Sequence, residues 1–277
     1  MIRDSFSKVN IGLRITGRRK DGYHTIQTIF QELQFGDKLA FEKLKSGCKI
    51  YADVPWLPLH KKNICSQAYS SLKQHYPHMG GVSIRISKNI PAGSGLGGGS
   101  ANAALTLKVL NEIYVLGLTF KELEAIGAGL GADVPFFIRG GTQSGEGTGS
   151  DLTPVNRPVN GTYLLVFSNI KISTAWAYNQ AINILKPWSQ HINFTSFFNG
   201  DFTSFEFFEN DFERIVIPAY PQVGDIKQKL LDSGARFASL SGSGSTVYGI
   251  FDDEDSAKEA ETFFPKHETI LTRPTNH

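Results

Sequence analysis

The segment Pro91-Ala92-Gly93-Ser94-Gly95-Leu96-Gly97-Gly98-Gly99-Ser100 has the most chemistry to offer in this sequence. Its glycines let successive backbone N–H groups converge on one point, and a helix starting behind them adds its positive end. Such a cradle suits phosphate. Gly93-x-Gly95-x-x-Gly98 formally matches a dinucleotide fingerprint, but the preceding residues Val82, Ile84 and Ile86 alternate with polar ones, whereas the first strand of a parallel nucleotide-binding sheet is apolar throughout. Glu112, the next acidic residue, still lies inside the following helix, and the Gly-Lys-Ser/Thr ending of a Walker loop is missing. A phosphate-binding lysine must therefore come from elsewhere. Glycine clusters also mark ordinary turns, and that reading stays open here.

Lys8, in Phe6-Ser7-Lys8-Val9-Asn10, and Asp133, in Gly131-Ala132-Asp133-Val134-Pro135, are the two charged candidates. Alone, each reads more readily as a solvated charge. Asp133 sits between small residues and an apolar run, where an unpaired carboxylate is costly, so a partner is expected for it. Cys48 and Cys65 form no CxxC pair and no Cys/His cluster of zinc spacing, so both read as free thiols. His60, His75, His78, His191, His267 and His277 make no ligand spacing.

The elements that must position these residues are read from 277 residues, of which 40% are apolar, enough for two modest domains around real cores. The formal net charge of +2 creates no strong field for nucleic acid or anionic lipid, and neither is expected as a partner. The basic excess is local, at Arg3, Lys8, Arg14, Arg18, Arg19 and Lys20, and a small anionic ligand could use it. No run approaches the roughly 18 apolar residues needed to span a bilayer, and the first residues lack an apolar signal core, so a cytoplasmic protein is expected.

Val9, Ile11, Leu13 and Ile15 alternate with polar or small residues, as in a strand with one buried face, which points Asn10 away from the core. Asp21-Gly22 predicts a hairpin turn into an extended run from Thr25 through Phe30. Phe35-Gly36-Asp37 should break that run, with another strand at 38–42. Helices are expected over 63–76 and behind the glycine loop, and Thr119 with Glu122 forms a capping box for another. Phe136 to Arg139 reads as a short strand, and the glycine-rich 140–149 as a boundary between domains 1–150 and 151–277. Beyond it come a strand at 163–167, a helix over 225–231 ending at Gly234, the turn Ser241 to Ser245, a strand at 246–251 and a last helix behind Asp252 to Asp255. Residues 189–213, crowded with Phe and Asn, give no clear pattern.

The segments Ser7-Lys8-Val9-Asn10, Thr16 to His24 (TGRRKDGYH), Pro91 to Ala104, Gly131 to Pro135 and Ser241 to Gly244 occur in the order found in the galactokinase, homoserine kinase, mevalonate kinase and phosphomevalonate kinase superfamily, which the chain resembles from about residue 5 to 251. The Thr-Gly-Arg-Arg-x-Asp-Gly-Tyr-His string narrows the resemblance to the members that phosphorylate a cytidine diphosphate sugar alcohol on the non-mevalonate route to isoprenoid precursors. Two departures stand out. Phe6-Ser7 replaces the usual Pro-Ala before the lysine, and Ala92-Gly93-Ser94-Gly95 replaces the common Met-Gly-Gly-Gly.

The resemblance implies an α+β fold with an N-terminal ATP-binding domain, a ferredoxin-like C-terminal domain and an active site in the cleft between them. It implies ATP and Mg2+ as cofactors, Asp133 as base and Lys8 as the cation beside it. Residues Pro91, Ala92, Gly93, Ser94, Gly95, Leu96, Gly97, Gly98, Gly99 and Ser100 would wrap the triphosphate, with Asn63 also on the ATP side. Ser100 would meet phosphate or metal, though it reads equally as the helix N-cap. Tyr23 would stack on cytosine, His24 bond its edge and Tyr178 close the other face, while Asn10, Gly242 and Ser243 would meet the rest of the substrate. A monomer or weak homodimer is expected. Two other readings stay open: a different small-molecule kinase of the superfamily, and a nucleotide-binding module without turnover.

Overall fold

The computed structural model describes residues 1–184, 205 and 208–275. Contacts divide the chain into two compact units: Met1–Ser7, Phe35–Pro91 and Gly97–Gly140 form the first, and Lys8–Gln34, Ala92–Leu96 and Gly141–His277 the second. The glycine-rich composition suggests a single boundary near residue 150. The units instead interleave, because two long strands run through both. These are β1 (Ile2–Arg18) and β2 (His24–Leu44), paired across the Arg19–Tyr23 turn, where Asp21 Oδ1 accepts from Tyr23 N.

Three expectations fail here for physical reasons. β1 is buried on both faces from Ser7 to Ile15, so Asn10 is inside rather than turned to solvent. No break occurs at Phe35-Gly36-Asp37: a Cβ at Gly36 would lie 2.2 Å from the Ser5 carbonyl oxygen, so glycine here admits β1 at close range and β2 continues. The segment 136–139 is helical, not extended; Pro135 stands in the first turn of α4 (Val134–Arg139), and its apolar residues are buried.

In the first unit, residues 38–44 of β2 pair antiparallel with β4 (Gly81–Ser87), which pairs in parallel with β3 (Cys48–Ala52). α1 (Ile64–His75) packs against α2 (Gly98–Ile113), and α2 and α3 (Phe120–Ala128) pack against α4. α2 buries Ala103, Leu107 and Leu110 at helical spacing, and α3 starts at the expected Thr119–Glu122 capping box.

In the second unit, residues 28–31 of β2 pair with β5 (Thr142–Glu146), and β5 with β6 (Asp151–Pro154), so the glycine-rich 140–149 segment is a strand and its turn, not a linker. A four-stranded antiparallel sheet follows in the order β10 (Glu268–Thr272), β7 (Thr162–Phe167), β9 (Thr246–Phe251), β8 (Phe237–Leu240). Helices α5 (Thr174–Ile184), α6 (Glu213–Ala219), α7 (Pro221–Asp232) and α8 (Glu254–Glu261) accompany it. Leu164, Val166, Val247, Phe251, Ile226 and Leu230 share its core. Gly234, at φ +92°, follows α7 in the left-handed conformation expected of it. Most of 189–213, which the sequence leaves unread, lies outside the described residues.

Candidate active site

In the second unit Lys8 is held from both ends. Its backbone N–H donates to Leu96 O at 3.0 Å, and its buried ammonium donates to Gly95 O at 2.9 Å and to Asn10 Oδ1 at 2.6 Å. Gly95 O also accepts from Ser241 Oγ at 3.0 Å, and Ser94 O accepts from Thr246 N at 3.1 Å. The two glycine turns of the sequence are thereby tied together through backbone carbonyls. Their closeness demands glycine. At Gly95, φ +80°, a Cβ would sit 2.1 Å from Ser241 O; at Gly242, φ +58°, it would face Asn10 Oδ1 at 3.4 Å and Lys8 Nζ at 3.6 Å. Asn210 supports this second turn, donating from Nδ2 to Leu240 O and Gly242 O, both at 2.8 Å. Ser243 Oγ lies 3.0 Å from Thr174 Oγ1.

The first unit holds the helical end of the phosphate loop. α2 starts behind Gly97, which caps it in the left-handed conformation, φ +74°. Ser100 therefore sits inside the first turn and is not the N-cap, which leaves its hydroxyl for another partner. The loop is set by Asp37, a fully buried carboxylate at the former "break" in β2. It pairs with Lys88, accepts from Asn89 N and Ile90 N at 2.9 Å each, and accepts from Asn102 Nδ2 on α2 at 2.9 Å. It thus fastens the end of β4 to the first turns of α2. Gly98 is needed for packing, since a Cβ would meet Ile90 at 2.9 Å, whereas a Cβ at Gly99 would meet nothing within 4 Å. Gly98 is thus fixed by packing, whereas Gly99 faces open space. Asp133 is the half-buried N-cap residue of α4, two positions after Gly131, where a Cβ would lie 3.8 Å from Ser100 Oγ.

The remaining candidates are also placed. His24 stacks on Tyr178, with ring centroids 4.9 Å apart and planes 22° off parallel, and Tyr178 meets Phe212 edge-on at 4.9 Å. Burial, with help from Arg18, holds the His24 imidazole below its ordinary pKa and favours the neutral ring. Tyr23 is 67% exposed. Asn63 caps α1: its Oδ1 accepts from Cys65 N at 2.9 Å and its Nδ2 donates to Pro58 O at 2.7 Å. Part of the basic excess goes into ion pairs, Arg3 with Glu112, Arg14 with Glu209 and Arg19 with Asp21. Cys48 and Cys65 are free thiols, and burial pushes that of Cys65 up to about 12.

Sequence reading missed Thr28, Asp37, Asn102 and Asn210. Asp37 carried a signal, a carboxylate between the apolar Phe35 and Leu39 of a β-rich run, where charge is costly without partners.

Comparison with known proteins adds to this geometry. Residues 63–141 match the GHMP kinases N terminal domain and 196–268 the GHMP kinases C terminal domain, together more than half of the chain. A 4-diphosphocytidyl-2-C-methyl-D-erythritol kinase of Chlorobium phaeobacteroides is 39% identical over 280 residues, covering 98% of this chain and 96% of that protein. The chain belongs to the GHMP kinase family. A protein of the same name from Thermodesulfovibrio yellowstonii is 37% identical, covering 94% and 93%. A crystal structure of 4-(cytidine 5'-diphospho)-2C-methyl-D-erythritol kinase matches over 100% of both chains with a TM-score of 0.86 at 28% identity. The homoserine kinase of Cytophaga hutchinsonii, TM-score 0.70 at 18% identity over 98% of this chain and 94% of that one, shares the fold. The α+β kinase fold implied by the sequence motifs is thus the fold of this GHMP kinase.

Proposed function

We propose that the chain transfers the γ-phosphoryl group of ATP to the 2-hydroxyl of 4-diphosphocytidyl-2-C-methyl-D-erythritol, a step toward isoprenoid precursors. One observation carries the reading: a buried ammonium, Lys8, bonded to the phosphate-loop carbonyl of Gly95 and to Asn10, with Gly242 of the second glycine turn beside it. Phosphoryl transfer asks the protein mainly for alignment and for neutralisation of charge, and such a cation supplies both.

Asp133 takes the proton of the attacking hydroxyl, and Lys8 favours the charge that develops there. Residues 91–100 receive the triphosphate, with Gly93 and Gly99 open where a side chain would intrude and the N–H groups at the start of α2 aimed at anionic oxygens. Mg2+ entering with the triphosphate needs only one or two protein oxygens, and the Ser100 hydroxyl, released from capping, fits one of those places. The metal supplies neutralisation of phosphate charge. His24, Tyr178 and the exposed Tyr23 offer the aromatic faces and polar edge that read a cytosine, and Asn10, Gly242 and Ser243 serve the rest of the substrate in this reading. Residues 1–150 carry the ATP-binding and catalytic groups along with Asn10, Tyr23 and His24, residues 151–277 lie on the substrate side, and Asn63 serves the ATP side through its cap of α1.

The test is phosphate transfer from ATP to the cytidine substrate by wild type and Asp133→Asn at equal folded fraction. A base contributes about 10² to 10⁴-fold, so the variant should lose that much rate. A retained rate removes Asp133 as base, transfer to mevalonate or homoserine in preference replaces the substrate, and ATP binding without turnover on any acceptor makes the chain a binding module.

A further inference from the structure

Asn10 is 2% exposed, and the chemistry of its neighbours dictates which way its amide points. An ammonium only donates, so the group facing Lys8 Nζ at 2.6 Å has to be Oδ1. Nδ2 then faces Oγ1 of Thr28 at 3.0 Å. The Thr28 hydroxyl lies 2.6 Å from Gly12 O, a carbonyl that only accepts, so its hydrogen goes there and its lone pair is presented to Asn10. Donors therefore run in one direction, with Thr28 and Asn10 turned by fixed groups at either end. Reversing the amide would set NH2 against NH3⁺, and two donors would be buried without acceptors. The Asn10 backbone is held separately, by the fully buried Tyr248, whose Oη donates to Asn10 O at 2.8 Å. Only the side-chain torsions remain to be set.

We propose that Thr28 is a positioning residue for phosphoryl transfer: its hydroxyl, locked by the Gly12 carbonyl, turns the Asn10 oxygen onto the Lys8 ammonium. The role rests on the kinase reading above, because Thr28 acts through Asn10 and Lys8. Its position four residues after His24 on β2 is buried at 0% exposure, and its hydroxyl otherwise reaches Ile29 O at 3.5 Å, the outer edge of hydrogen-bond length.

The experiment compares Thr28→Val, which keeps the shape and loses the hydroxyl, with Thr28→Ser, which keeps the hydroxyl. Two readouts are taken: exchange of the Asn10 side-chain amide protons by NMR on the folded protein without ligands, and kcat and KM with ATP and the cytidine substrate. Wild type and Thr28→Ser should protect the Asn10 amide and agree in kcat within about two-fold, while Thr28→Val should lose protection and roughly ten-fold in kcat at unchanged KM for ATP. Protection retained in Thr28→Val, or lost equally in Thr28→Ser, overturns the role. Should Thr28→Val fail to fold, wild type decides alone: a slowly exchanging Thr28 hydroxyl proton with an NOE to the Asn10 amide supports the relay, and fast exchange overturns it. Absence of turnover in wild type overturns the kinase reading instead, and the amide measurement still judges Thr28.

Discussion

The turn after β4 and the turn before β9 are both rich in glycine, yet a buried carboxylate anchors the first and a buried amide the second. Asp37 gathers donors, the N–H groups of Asn89 and Ile90 and the side chains of Lys88 and Asn102. Asn210 does the reverse, giving both hydrogens of Nδ2 to the carbonyls of Leu240 and Gly242. Each anchor matches what the local backbone leaves over: N–H groups at the end of a strand, carbonyls at a turn. A carboxylate at 210 would face two carbonyls, and an amide at 37 would set donors against donors. The charged anchor needs a countercharge and becomes costly to disturb; the neutral one does not. Similar glycine patterns thus conceal different dependence on their neighbours.

Asp37→Ala should have the largest effect. It leaves the Lys88 ammonium, with only 6% of its side chain exposed, without its carboxylate, and breaking a buried pair costs about 3 to 5 kcal/mol. Urea unfolding measures this, and a loss below about 1 kcal/mol would erase the contrast between the anchors. Asn210→Ala comes next, at about 1 to 3 kcal/mol for two orphaned carbonyls, with Asn210→Asp at least as damaging despite its shape. A milder aspartate would show that the carbonyls are not what the amide serves.

Within the first turn, Gly95→Ala and Gly99→Ala should separate packing from binding. The first forces a Cβ to 2.1 Å from Ser241 O and should lower the melting temperature; the second enters open space in a helix, where alanine is favoured by up to about 1 kcal/mol over glycine. Gly99→Ala should keep its stability and weaken ATP binding several-fold by calorimetry. Equal melting of the two would contradict the division. The smallest effect is in pH. Burial, first of the causes, depresses the pKa of His24 and of His267, whose ordinary value is 6.5. The unfolded chain then binds more protons below about pH 6.5, so stability is full above that value and falls as pH drops through the folded-state values. His24→Gln should flatten part of that slope in melting curves between pH 7 and 5, and an unchanged slope would leave His267 or other groups responsible.

Local signals were legible where one residue type satisfies a local rule. Thr119 with Glu122, Gly234 after α7 and the acidic turn holding Asp253 before α8 are found as caps or turns because their partners are within a few residues. The strand predicted at 136–139 failed because buried apolar runs read alike in either conformation, and only packing of α4 against α2 and α3 decides between them. Asn10 was misplaced for a related reason: alternation suggests one wet face, but β1 is covered on both, and the Asn10 amide meets the buried polar groups of Lys8 and Thr28.

Residue types and order along the chain were enough to determine membership of a small-molecule kinase family, since the motifs that carry it are short and keep their order. Tertiary structure alone decided which glycines pack and which stay open, that Ser100 is spared from capping, that Asp37 and Asn210 hold the loops, and that Thr28 faces Asn10. Those contacts are hydrogen bonds between groups 16 to 65 positions apart in the cases of Thr28 and Asp37. No spacing rule in a sequence encodes such a separation; the folded backbone brings donor and acceptor together, and burial makes their pairing obligatory.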